Sequence, residues 1–147
     1  MVLYWRSSLA VLPWPRDHPL ILFIRRCLTD DRWLIARRVL LVLIWMTLAI
    51  LTHIPVPHAI HEMGSWDKVA HLIAYLSLGF FLTIGRVPGL RHGGVCLLVL
   101  ALYGVLDEVL QMPVGRTASR YDWIADVIGA TLGIVIAKQL MRTSSVP

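Results

Sequence analysis

VCLLVLALYGVLDEVLQMPVGR, residues 95–116, decides how this chain is read. From Val95 to Leu106 the stretch carries no charge and is built to be taken out of water. It then places two acids side by side, Asp107 and Glu108. Val109 and Leu110 continue the apolar pattern before Gln111 and a Pro-Gly turn. By itself the run is too short to span a bilayer core, which takes about 20 residues as a helix, so the span must extend through the acids to about Met112. Two carboxylates in its last turns are then costly, because an unpaired buried carboxylate is penalised by several kcal/mol or driven to protonate. Capping does not account for them. They stand at the C-terminal end of their helix, where the macrodipole disfavours negative charge.

The rest of the chain has the same character. Apolar residues make up 57% of the 147 and charged residues 16%, outside the range of soluble globular domains. The formal net charge of +5 is carried mostly by arginines at the ends of apolar blocks. That pattern reads as topology signalling and contact with anionic headgroups, and argues against nucleic acid as a partner. Cys27 and Cys96 form neither a CxxC pair nor a disulfide framework and read as small apolar residues.

Four segments are long and apolar enough to cross a bilayer: 34–52, 66–85, 93–112 and 121–139. The expected fold is all-α, a transmembrane bundle of four spans. Residues 1–33 are expected to form a basic cytoplasmic or interfacial leader, 34–140 the membrane domain, and 141–147 a cytoplasmic tail. The leader is broken by Pro13, Pro15 and Pro19 and is not a secretory signal. Its LILFIRRCL segment is too short to span and suits an interfacial amphipathic helix. A start codon downstream of Met1 is the competing explanation. Thr29 with Asp30 and Asp31 supplies a helix start ahead of the first span.

Lys and Arg set the orientation. Five arginines precede the first span and Arg37 and Arg38 stand in its first turns, Arg86 and Arg91 lie between the second and third, and Lys138 and Arg142 close the fourth. The other side holds Lys68, Arg116 and Arg120. Both termini are therefore expected in the cytoplasm.

On this topology the polar residues converge at the outer end of the bundle. Asp67, Lys68 and His71 open the second span, Asp107, Glu108 and Gln111 end the third, and Asp122 and Asp126 open the fourth. Asp67, His71, Tyr75 and Leu78 form one helical stripe, and Asp107 and Gln111 are one turn apart. Ala125, Gly129 and Gly133 make a small-xxx-small series that admits a close neighbouring helix. Structural readings compete. Asp67 suits a helix N-terminus with Ser65 as N-cap, and Asp122 suits a capping box with Ser119. Tyr75 suits a core aromatic, and Lys68 and Arg120 suit headgroup contact. Asp107 and Glu108 have no such reading and call for Lys68, His71, Arg116 or neutral donors as partners. Neighbouring helical positions differ by about 100°, so one of the two acids is expected to point fully at the site.

DKVAHLIAYLSLG (67–79) and DEVLQMPVGRTASRYDWIADVIGATLG (107–133) resemble the VanZ-like family of small bacterial membrane proteins. The resemblance rests on Asp67, Lys68, His71, Tyr75 and Leu78, then Asp107, Glu108, Gln111, Arg116, Asp122, Asp126, Gly129 and Gly133. Gly129 stands where family members often carry Asn. The family takes its name from a protein linked to low-level teicoplanin resistance. The resemblance implies a multi-pass protein of the bacterial cytoplasmic (inner) membrane that faces the cell envelope.

Three functions are weighed. In the first, the polar mouth binds an envelope lipid, lipid-linked precursor or headgroup, with Arg116 and Lys68 on phosphate or carboxylate and Asp107, Glu108 and Asp126 arranging them. In the second, the chain is a membrane-embedded enzyme. His71 is then acid or base, oriented by Glu108 or Asp126, or a metal is held by His71, Asp107, Glu108 and Asp126. In the third, the cluster only fixes helix register. The HAIHE stretch, with His58, His61 and Glu62, lacks the cysteines or second tight pair that a zinc site calls for, so no metal is assigned and the cofactor stays unknown.

Overall fold

The computed structural model describes residues 19–53, 66–114 and 118–142. Helix α1 (Pro19–Thr29) begins on a proline, suited to the first helical position because its missing N–H has no partner there anyway. It is the helix expected from LILFIRRCL, and residues 1–18 lie outside the described part. Arg26 sits in its last turn, matching the dipole. The helix start ahead of the first span differs from the expectation. Thr29 ends α1, and Asp30 is the cap, its side chain accepting from the Arg32 backbone N–H at 3.0 Å. That cap opens a 3-10 turn, Asp31–Trp33, which leads into α2 (Leu34–His53). The Arg32 guanidinium, hydrogen-bonded to Asp30 at 2.9 Å, holds that carboxyl below its ordinary pKa.

Helices α3 (Trp66–Ile84), α4 (Gly93–Gln111) and α5 (Arg120–Arg142) complete a four-span, all-helical bundle; a short 3-10 turn, Met112–Val114, follows α4. All four long helices are apolar and long enough to cross a membrane. The first three agree with the expected spans to within a residue. The fourth runs on to Arg142, because Lys, Gln, Leu, Met and Arg are strong helix formers that carry it past its last apolar stretch. Much of the apolar surface stays exposed, including Val42, Leu43 and Met46 on α2 and Leu98, Leu102 and Leu106 on α4. Faces this apolar belong against lipid.

The tightest seam joins α3 to α5. A Cβ added to Gly129 would meet the Leu72 carbonyl and come within 3.0 Å of the Leu76 amide nitrogen. One at Gly133 would meet the Leu76 carbonyl and lie 2.8 Å from the Phe80 nitrogen. Because 129 pairs with 72–76 and 133 with 76–80, the two helices run parallel. Gly79 reciprocates against Ala130. The small-residue series thus does what its spacing predicts, with bare backbone against backbone. Leu41 and Leu48 of α2, Leu78 and Leu82 of α3 and Leu100 of α4 fill the space alongside.

At the end of the bundle that carries the start of α2, arginines tie backbone ends together. Buried Arg37 donates to the carbonyls of Leu28 and Asp30, closing the end of α1. Arg38 donates to the carbonyls of Gly85 (3.0 Å) and Arg86 (3.1 Å) just past α3, and Arg86 pairs with Asp31 at 3.0 Å. Cys96 is a buried core residue, as its apolar reading predicts, and its thiol donates to the Leu90 carbonyl.

Candidate functional site

The opposite end is polar inside. Thr52 from α2, His71 and Tyr75 from α3, Asp107, Glu108 and Gln111 from α4, and Asp122 and Asp126 from α5 are all buried there. Four helices contribute, because the C-terminal ends of α2 and α4 meet the N-terminal ends of α3 and α5. The parallel pairing of α3 with α5 carries its register upward from the glycine seam. It sets His71 beside Asp126 about one turn beyond the seam, and Lys68 beside Asp122 a turn further on.

Asp107 and Glu108 are both buried, and of the two it is Glu108 whose carboxylate groups with His71 and Asp126. They face different neighbours. Asp107 turns towards α2 and accepts from the Thr52 hydroxyl at 3.0 Å and from the Gln111 amide at 2.8 Å. Among the described residues its partners are neutral donors, and Arg116, one of the cations considered from sequence, lies outside them. Glu108 turns towards the start of α5 and accepts from the backbone N–H of Ser119 at 2.6 Å. That bond rewrites the capping box expected at Ser119. The Ser119 hydroxyl does accept from the Asp122 N–H, at 3.3 Å. The reciprocal position, on the Ser119 N–H, is taken by Glu108 of another helix, and Asp122 is left to pair with Lys68 at 3.7 Å.

His71 is central. Its Nδ1 lies 2.9 Å from Asp126 Oδ1, with both side chains almost wholly out of solvent. A carboxylate accepts, so this bond puts a proton on Nδ1 and, in the neutral ring, leaves the lone pair on Nε2. Ligand-type atoms of His71, Glu108 and Asp126 lie within 4.8 Å of one another, as do those of Asp67, His71 and Asp122. The other oxygen of Asp126, Oδ2, and the Tyr75 hydroxyl are buried with no hydrogen-bond partner among the described residues. Both border Gly104, where an added Cβ would stand 3.1 Å from Asp126 Oδ2 and 3.4 Å from the Tyr75 hydroxyl.

Asp67 is half-buried in the first turn of α3, and Ala125 is half-buried on α5 near the start of the seam. Arg116, Ser65 and the HAIHE histidines lie outside the described residues. Three contributors escaped the sequence reading. Thr52 is a lone hydroxyl in the last turn of an apolar helix, a signal that becomes specific only when its depth is compared with Asp107. Gly104, one turn before Glu108, is a gap in a bulky run that lets Asp126 and Tyr75 approach α4. Trp123 fastens α5 to α4 beside it, donating from Nε1 to the Ala101 carbonyl at 3.0 Å.

Counted by charge among the described residues, the buried site is acidic. Asp107, Glu108, Asp122 and Asp126 face His71 and the half-exposed Lys68, whose ammonium is already within ion-pair distance of Asp122. The family model described as VanZ/LLP1 matches residues 29–142. No curated protein and no solved structure matches the chain.

Proposed function

This chain belongs to the VanZ/LLP1 family, and from that premise we propose that it is a multi-pass protein of the bacterial cytoplasmic membrane whose polar end faces outward and binds a polar group of an envelope lipid or lipid-linked precursor. The observation that carries this reading is the burial of ionisable groups from three helices together at one end of a largely apolar bundle. Buried charge in a membrane bundle is held against its solvation cost, and ligand recognition is a common reason for keeping it. The apolar faces of α3 and α5 near Lys68 would lie along the lipid tails, while Lys68 and Arg120 at the rim would meet the headgroup phosphate. A contribution to glycopeptide tolerance would be the cellular consequence, read as a change in teicoplanin susceptibility on deletion.

The test is binding of a polyprenyl phosphate to the purified full-length protein, followed by native mass spectrometry in detergent. His71→Asn and Asp126→Asn are expected to weaken binding at least about tenfold, equivalent to about 1.4 kcal/mol, while leaving the protein folded. Unchanged binding in every polar-end variant would remove this reading.

A second reading has its own observation in the His71–Asp126 pair. An imidazole oriented through Nδ1 by a buried carboxylate is arranged as a general acid or base acting through Nε2. It calls for turnover of a lipid-linked substrate that His71→Asn abolishes without loss of binding.

A further inference from the structure

The geometry points to a divalent metal ion of the zinc or manganese class, held at the polar end by His71, Glu108 and Asp126. This deepens the ligand-binding reading and rests on the same site. Three features lead to it. First, the three side chains come from three different helices yet offer nitrogen and oxygen ligand atoms within 4.8 Å of one another, all of them buried. One cation at about 2.0–2.2 Å from each closes that spacing with small side-chain rotations.

Second, Asp126 has an oxygen to spare. It is fully buried, Oδ2 has no partner among the described residues, and Oδ1 faces the His71 Nδ1, whose proton the metal displaces when that nitrogen becomes the ligand. A fully buried carboxylate oxygen left in that state is costly, and a metal ion satisfies it. Third, the buried charge calls for a cation. Among the described residues, Asp107 accepts from neutral donors, Glu108 from a backbone N–H, and Lys68 lies within ion-pair distance of Asp122. A dication balances the Glu108 and Asp126 carboxylates while His71 stays neutral, as a ligand imidazole is.

The chemistry of the set narrows the ion. One imidazole with two carboxylates is a borderline-to-hard donor set suited to zinc or manganese, and the lack of thiolate disfavours copper(I). Three protein ligands leave coordination positions open, the pattern of sites that take up an outside oxygen, such as that of a phosphate headgroup. The neighbouring set of Asp67, His71 and Asp122 is the weaker candidate, because Asp67 is half-exposed and Asp122 is already paired with Lys68.

The experiment uses the full-length protein in detergent, stripped with EDTA and dialysed against micromolar zinc, manganese or magnesium chloride, with bound metal read by mass spectrometry of the elements. About one zinc or manganese per chain is expected, with an unfolding temperature raised by at least about 5 °C and reversed by EDTA. His71→Asn, Glu108→Gln and Asp126→Asn are each expected to lose the metal. Thr52→Val, which alters a bond to Asp107 and to none of the three ligands, is expected to keep it. Folded wild-type protein that retains no metal above its magnesium control overturns the inference. So does metal retained equally by all three ligand variants. Should those variants fail to fold, the wild-type stoichiometry and the Thr52→Val control decide alone. Polyprenyl-phosphate binding that survives EDTA, with no metal bound, sinks the metal and keeps the ligand reading; a bound metal without lipid binding does the reverse.

Discussion

Asp107 shows how a membrane protein keeps a buried carboxylate on neutral donors among its described residues. Thr52 and Gln111 each donate to one of its oxygens, and Gln111 does so from the next turn of the same helix. Both donors are themselves buried, so neither bond is exchanged for water. Thr52→Val and Gln111→Leu are each expected to destabilise the protein by about 1–3 kcal/mol, measured as a fall in thermal unfolding temperature in detergent. If both are neutral, these bonds do not hold the acid. The presence of Asp107 was legible in sequence, since an acid in an apolar run at the wrong end of a helix dipole cannot be decoration. Its partners were not legible. Thr52 lies 55 positions away, and nothing local ties a threonine in one span to an acid in another.

At the scale of the element, the α3–α5 seam decides where everything polar ends up. Glycine is poor in a helix interior, and replacing it with alanine ordinarily adds about 1 kcal/mol of helix stability. Gly94 and Gly129 should therefore respond with opposite signs. A Cβ at Gly94 meets nothing within 4 Å, so Gly94→Ala is expected to be neutral or stabilising. A Cβ at Gly129 meets α3 backbone, which cannot rotate away, so Gly129→Ala is expected to cost about 1–3 kcal/mol net by forcing the helices apart. It should also disturb His71 and Asp126, which rely on that register. Thermal unfolding of the pair of variants checks this, and equal effects at the two glycines would contradict the seam. The small-residue series was visible in the sequence as a seam, but its mate was not. Ala125, Gly129 and Gly133 mark a face that wants a close neighbour without saying which helix comes.

For the whole molecule, the polar end and the arginine-rich end stand at opposite ends of the four spans. Arg37, Arg38 and Arg86 are committed to carbonyls and to Asp31 at one end, and the buried acids gather at the other. If the excess of Lys and Arg sets orientation, the polar end lies outside the cell. In a background with Cys27→Ser and Cys96→Ala, Ala118→Cys should react with a membrane-impermeant maleimide in intact cells, and Arg91→Cys only after permeabilisation. Both positions are exposed. The reverse pattern would put the polar end in the cytoplasm and discard an envelope ligand.

The number of helices, their approximate limits and the depth of their polar residues were set by sequence alone. Those features depend on composition along the chain, measured against the thickness of a bilayer. The pairing of helices, and so the partner of each buried group, was decided only in three dimensions. Asp107 and Glu108 are neighbours in sequence and about 100° apart around α4, a separation that by itself turns one of them away from a single site. Both are buried because α4 has α2 on one side and the start of α5 on the other. Ser119 likewise carries a capping-box pattern with Asp122, yet its N–H is taken by an acid from another helix. A local pattern names the groups that need partners; which groups meet follows from how the helices rotate and pack, and that information is spread over the whole chain.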